Sequence, residues 1–208
     1  MINKQDFIDA KKNKKVFVIN DFIKENPSWD GFIQSLNYKF LSNECNGNSD
    51  YNPHFIYNED LKTDILLNYK LAPTVFYCVT RESILNNLGS INYMPQIRQF
   101  IDLINPLLIN NNWALKNLMN FICEKNTTYP HKDPQDVLIW TCIGSVEYRI
   151  YDDIEVEYET PILDIKNLKY QTFLTKPGDI IFIPGGVIHQ VIISEPRASV
   201  ILDFSLQD

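Results

Sequence analysis

Glycine is scarce in this chain, with 7 in 208 residues. That excludes collagen-like and Gly-rich low-complexity tracts, which need far more of it. Histidine is scarcer still: His54, His131 and His189 are the whole supply. A metal site built on imidazoles therefore has very few ways to form. No apolar run reaches the roughly 20 residues of a membrane-spanning helix. The opening stretch from Met1 to Asp6 is polar, unlike a secretory leader. No membrane partner is expected, and a cytoplasmic location is the default. The four cysteines, Cys45, Cys78, Cys123 and Cys142, match no CxxC zinc or redox spacing. Three lie in apolar runs and are expected as buried, reduced thiols. A net charge of -7 opposes a phosphate backbone, so nucleic acid is not an expected partner. The densest cationic stretch, Lys11-Lys12-Asn13-Lys14-Lys15, reads as a helix end followed by a solvated loop.

Aromatic residues, by contrast, are plentiful, with 12 Phe, 11 Tyr and 3 Trp. Apolar residues at 45% and charged residues at 22% fit a globular protein with one substantial core. The first 117 residues read as a mixed, helix-bearing preamble. Asp6–Lys12 is a short helix and 15–19 a strand. Ser28 caps a helix running to Leu36. The Pro-bearing polar stretch 46–58, which holds His54, is a loop. Thr74–Val79 is a strand candidate, and Pro95–Leu108 has helical periodicity with Pro95 suited to the first turn. From Leu118 the texture changes. Segments 118–124, 137–143, 147–151, 172–174, 180–183, 187–193 and 199–204 are short strand candidates separated by Pro, Gly, Asn and Asp. Such spacing points to a sandwich or barrel, within a single domain over 1–208 whose β-core spans 118–206. The acidic stretch from Tyr151 to Glu159 reads as an exposed strand or hairpin.

The chemistry concentrates in two places. In an extended chain, residues two apart face the same way. His131 and Asp133 can therefore point into one cavity and offer an imidazole and a carboxylate. A third ligand from a later strand would complete one face of an octahedron and leave the other open, the 2-His-1-carboxylate arrangement of non-haem Fe(II) oxygenases. His189 follows a Pro177-Gly178-Asp179 turn, a strand, and a Pro184-Gly185-Gly186 break, and sits among aliphatic residues. A polar side chain in such company needs a partner, and a metal would supply one. Taken alone, His-x-Asp is a common pair and a lone strand His is more often a hydrogen-bonded core residue. The order and context of the pieces carry the reading.

That order resembles the JmjC/cupin-like Fe(II)/2-oxoglutarate-dependent oxygenases over about 118–206. The matching pieces are His131-Lys132-Asp133, the strand 137–143, Gly144, Tyr148-Arg149-Ile150-Tyr151, Pro177-Gly178-Asp179, Pro184, His189 and the final apolar strand. The resemblance implies a double-stranded β-helix (cupin, jelly-roll) core. It implies Fe(II) on His131, Asp133 and His189 as the catalytic centre, with 2-oxoglutarate as co-substrate and O2. It further implies hydroxylation of a C–H bond in a small molecule, amino acid, peptide or protein side chain. Other readings stay open: a cupin-type iron oxygenase that does not use 2-oxoglutarate, and a non-catalytic metal-binding module. A homodimer is left open as well.

In JmjC relatives a basic residue two positions after the strand-linking Gly anchors the distal carboxylate of 2-oxoglutarate. Here that position is Val146, which cannot pair with a carboxylate. Arg149 has the opposite parity and is expected outside the barrel. Arg197-Ala198-Ser199 resembles the Arg-x-Ser carboxylate clamp of other 2-oxoglutarate oxygenases, with Arg197, Ser199, Ile201 and Asp203 on one face. An ordinary hairpin-turn arginine is the equal alternative. Thr128, Thr141 and Tyr148 complete the expected cofactor-binding set, although each Thr could be present for β-propensity alone. Trp140, of opposite parity to Thr141, is expected to pack behind the sheet.

Overall fold

The computed structural model describes residues 4–32, 74–79, 95–109, 113–123, 130–158, 162, 166–192 and 194–206. Two helices and nine strands are defined among them. The helices are α1 (Lys4–Lys12) and α2 (Pro95–Ile109). The strands before the site are β1 (Phe17–Ile19), β2 (Thr74–Val79) and β3 (Trp113–Cys123). Those around it are β4 (Asp136–Ile143), β5 (Val146–Tyr151), β6 (Tyr170–Thr175), β7 (Ile180–Ile183), β8 (His189–Ile192) and β9 (Arg197–Leu206). Residues 29–32 begin a further helical turn, in which the Gly31 amide donates to Ser28 Oγ at 3.2 Å. The 46–58 loop, with His54, lies outside the described residues, as does Thr128.

The strands form two antiparallel sheets, one ordered β1-β7-β4-β9-β3-β2 and the other β6-β5-β8. Alternation along β4 explains why the sheets enclose a core. Leu138, Trp140 and Cys142 face one way, Val137, Ile139 and Thr141 the other, and both sets are buried. The first set packs beneath the helices. Ile97, Phe100, Ile101 and Ile104 form one buried stripe of α2 at helical spacing, and Phe100 lies 5.0 Å from the Trp140 ring. Trp140 Nε1–H donates to Asn26 Oδ1 at 3.0 Å, so it does pack behind the sheet. On the same side, Phe7 of α1 meets Phe182 of β7 edge-on at 5.0 Å and Phe17 of β1 at 5.2 Å. The second set faces the smaller sheet and forms the jelly-roll interior.

Some expectations need correction. β3 begins at Trp113 rather than Leu118, and β1 and β2 join the same sheet as the later strands. The acidic stretch leaves the sheet after Tyr151, and its described residues 152–158 form neither strand nor hairpin. Ile154 and Val156 pin it to Tyr151, Ile162 and Ile188, while Asp152, Asp153, Glu155 and Glu157 stay exposed. Lys11 does not merely solvate a helix end: it pairs with the buried carboxylate of Asp136.

Candidate metal centre

Two segments of the chain build the centre. The first runs from Pro130 into β4. The second runs from the Pro184-Gly185-Gly186 break into β8. An antiparallel bridge joins them: the His131 amide donates to the His189 carbonyl at 3.0 Å, and the His189 amide returns a bond to His131 at 2.8 Å. Directly bridged residues present their side chains on the same face. Further bonds lock the register. The Gly186 amide donates to the Asp133 carbonyl, and the Gly185 amide to Asp136 Oδ1, each at 2.8 Å. A Cβ on Gly185 would sit 2.7 Å from the Pro134 carbonyl oxygen. Only glycine allows the segments this close.

His131, Asp133 and His189 thus converge, with one potential ligand atom of each within 4.8 Å of the others. His131 Nε2 is 3.7 Å from one Asp133 oxygen and His189 Nε2 3.5 Å from the other. Ligand atoms about 2.1 Å from a common ion lie roughly 3 Å apart at right angles, so small side-chain rotations close this set on a metal. His189 Nδ1 lies 3.1 Å from the Val187 carbonyl. A carbonyl only accepts, so Nδ1 carries the proton and Nε2 presents its lone pair to the site. Burial pushes the His189 pKa down; Asp133 opposes this and His131 adds to it. The ring is held neutral, the form that binds metal. His189 is buried, whereas the His131 and Asp133 side chains are 26% and 29% exposed. The triad therefore opens towards solvent on the side of the first segment.

Behind the triad, the interior carries a second polar group. Thr141, Tyr148, Arg197 and Ser199 are each at most 2% exposed. Arg197 Nη1 donates to Ser199 Oγ at 3.0 Å, and the Thr141 hydroxyl lies 2.7 Å from that of Thr175. Thr175 escaped the sequence reading, because nothing local shows that β6 meets β4 across the interior. Arg149 takes the outer face, bonded to Glu147 Oε1 at 2.7 Å and stacked over Tyr170.

A jelly-roll of two antiparallel sheets whose mouth carries two imidazoles and one carboxylate placed so that they could hold a metal ion is a cupin-type fold. The family model of the JmjC domain matches residues 91–207, more than half of the chain, and the chain belongs to that family. Among solved structures, that of Escherichia coli ycfD aligns with a TM-score of 0.60 and 15% identity, covering 100% of this chain and 54% of that one. The ribosomal oxygenase YcfD from Escherichia coli in complex with cobalt and 2-oxoglutarate aligns with a TM-score of 0.57 and 16% identity, over 100% and 53%. The complex with cobalt and succinic acid gives 0.58 and 16%, over 100% and 52%. This chain spans about half the length of those proteins. No curated protein matches the sequence. No described helix is long and apolar enough to cross a membrane.

Proposed function

We propose that the chain is an Fe(II)- and 2-oxoglutarate-dependent oxygenase that hydroxylates a C–H bond of a protein or peptide side chain. The observation that carries the reading is the convergence of His131, Asp133 and His189 on one open-faced site. The donor set fits the ion: two imidazoles and one carboxylate hold divalent iron and leave further positions for ligands. When bound, Fe(II) and 2-oxoglutarate supply oxidative decarboxylation by O2, giving succinate, CO2 and a hydroxylated product. The chain's own residues do the rest. Val187 fixes the His189 tautomer, the paired amides of His131 and His189 fix the ligand geometry, and the apolar interior limits water. The ribosomal oxygenases that share this fold at 15–17% identity favour a protein substrate. The exposed edge formed by His131 and Asp133 is compatible with a bulky one.

Anaerobic titration of the Fe(II) protein with 2-oxoglutarate tests the reading. A visible metal-to-ligand charge-transfer band is expected, and it should vanish in His131→Ala and His189→Ala. A second reading is favoured by Val146, which lacks the cation expected for a distal carboxylate: an iron oxygenase whose substrate itself chelates the metal. Tight Fe(II) binding with no band at saturating 2-oxoglutarate would select it.

A further inference from the structure

One end of the larger sheet is β1, and none of the described strands pairs beyond it. The strand carries Phe17, Val18 and Ile19, with neither a charge nor a proline to discourage a further strand. Its ladder with β7 uses one side of the backbone. The other side presents alternate amides and carbonyls to the edge.

A helix overhangs that edge. The chain reverses after α1, where the Lys15 amide donates to the Ala10 carbonyl at 2.8 Å. β1 therefore runs back antiparallel along α1, and Phe17 meets Phe7 at 5.2 Å. Helical phase then gives α1 three sides. Phe7 and Ala10 are buried against the sheet. Lys11 leans inward to Asp136 of β4, two strands in from the edge. Asp6, Asp9 and Asn13, spaced at i, i+3 and i+7, take the opposite flank, outside β1. This flank and the strand positions Lys15, Phe17 and Ile19 line a groove of about 500 Å³.

The groove asks for three things at once. Its edge needs main-chain donors and acceptors. Its floor of Ala10, Phe17 and Ile19 needs apolar cover. Its helix wall carries the exposed carboxylates of Asp6 and Asp9, which call for a cation. Asp9 Oδ1 accepts from Gln5 at 2.8 Å, and a carboxylate has capacity for further bonds. A small cation would leave the edge unpaired, and a phosphate backbone would be repelled by the two carboxylates. An extended peptide with a basic and an apolar side chain meets all three needs.

We propose that the groove between α1 and β1 docks an extended, basic and apolar peptide segment of a partner protein, which adds to β1 as a strand. In antiparallel addition, alternate side chains face α1. A Lys or Arg lies at the Asp6–Asp9 end, an aliphatic residue over Phe17, and an acidic residue beside Lys15. The groove is separate from the proposed metal centre, which lies across α1 on the Lys11 side, where Asp136 holds the Gly185 amide. Docking there needs no metal, so the proposal stands apart from the oxygenase reading.

The probe is the peptide Lys-Thr-Ile-Thr-Glu, blocked at both ends and carrying a fluorophore on a glycine linker. Its anisotropy is followed on titration with the full chain. Saturable binding is expected, with or without Fe(II). Asp6→Asn combined with Asp9→Asn should weaken it by about 2- to 5-fold per lost exposed pair. Replacing the peptide's Lys by Glu should weaken it in the same direction. Alternate amides of an added strand face β1. N-methylation of one alternate set should therefore weaken binding about 10-fold or more, while N-methylation of the other set is tolerated. Equal tolerance of both sets, or unchanged affinity in the Asn variant, overturns the proposal. Absence of saturable binding does so too. Self-association of the chain in sedimentation that the Asn variant abolishes would assign the groove to a second copy and overturn the peptide partner.

Discussion

Gly144 shows how much a single residue can decide. Its φ is +73°, and a Cβ there would sit 2.4 Å from the Pro196 carbonyl oxygen and 3.2 Å from Arg197 Cα. The next amide, Ser145, donates to Glu195 Oε1 at 2.7 Å. The β4–β5 turn is thereby pressed against the start of β9, where Arg197 enters the interior. Gly144→Ala is expected to destabilise the fold by about 1–3 kcal/mol through backbone strain alone, and more through the clash. Urea unfolding measures the combined effect, and an unchanged stability would show that the turn yields without cost. Cys142 offers a quieter check. Burial pushes its thiol well above the ordinary thiol range, so native protein should leave it unalkylated at pH 8 and denatured protein should not. Peptide mass mapping reads this directly; rapid native labelling would contradict the packing. At this scale the sequence was informative wherever parity governs. His131 with Asp133, inward Tyr148 and Thr141, outward Arg149 and Trp140 all follow from period-two alternation. Thr175 did not, since its meeting with Thr141 depends on how two sheets face each other.

Helix α1 reaches the proposed metal centre without touching it. Lys11, with its side chain 34% exposed, pairs with Asp136, whose side chain is 1% exposed. The second oxygen of that carboxylate accepts from the Gly185 amide, beside the Gly186–Asp133 bond that seats the ligand segment. Lys11→Ala leaves a buried carboxylate with less compensation and should cost about 1–3 kcal/mol. It should also loosen the 185–186 turn and so weaken Fe(II) binding, measured by metal titration; unchanged affinity would show that the turn holds itself. Phe182→Ala, which removes a ring packed against Phe7 and Phe17, should cost about 3–5 kcal/mol while sparing the metal ligands. The two variants thus separate anchoring of the helix from anchoring of the site. Most elements were legible from periodicity and punctuation: α2 from its apolar stripe, β7 from its two Pro-bearing boundaries. The Lys11–Asp136 pair was not, because 125 residues separate the partners and a lysine cluster beside a helix looks the same whether solvated or paired. The acidic stretch misled for a related reason. Alternating Ile154, Val156 and acids mimic a strand, but their apolar side chains serve a small cluster with Tyr151, Ile162 and Ile188 and pair with no strand among the described residues.

At the scale of the molecule, the proposed metal centre is also a joint between the two sheets. His131 and Asp133 lead into β4 of the larger sheet, and His189 opens β8 of the smaller one. In the absence of an ion, two backbone bonds at the His131–His189 bridge and two at the glycine turn hold this end together. The ligand side chains add little, since a neutral imidazole beside a carboxylate is a weak pair. An ion bound to all three ligands ties the sheets at a point where separation must occur on unfolding, and the unfolded chain presents no comparable site. Binding to the folded state alone stabilises by mass action, about 2.7 kcal/mol at a hundredfold excess over Kd. For a domain of this size that corresponds to roughly 5–10 °C in Tm. Anaerobic thermal unfolding with Fe(II), or with Mn(II) as an inert substitute, should therefore show a Tm that rises with metal concentration and returns to baseline with chelator. His189→Ala should abolish the rise and have little effect on the metal-free Tm beyond the cavity it leaves. A metal-independent Tm in the wild type, at concentrations where binding is measured separately, would mean that the ion does not join the two sheets.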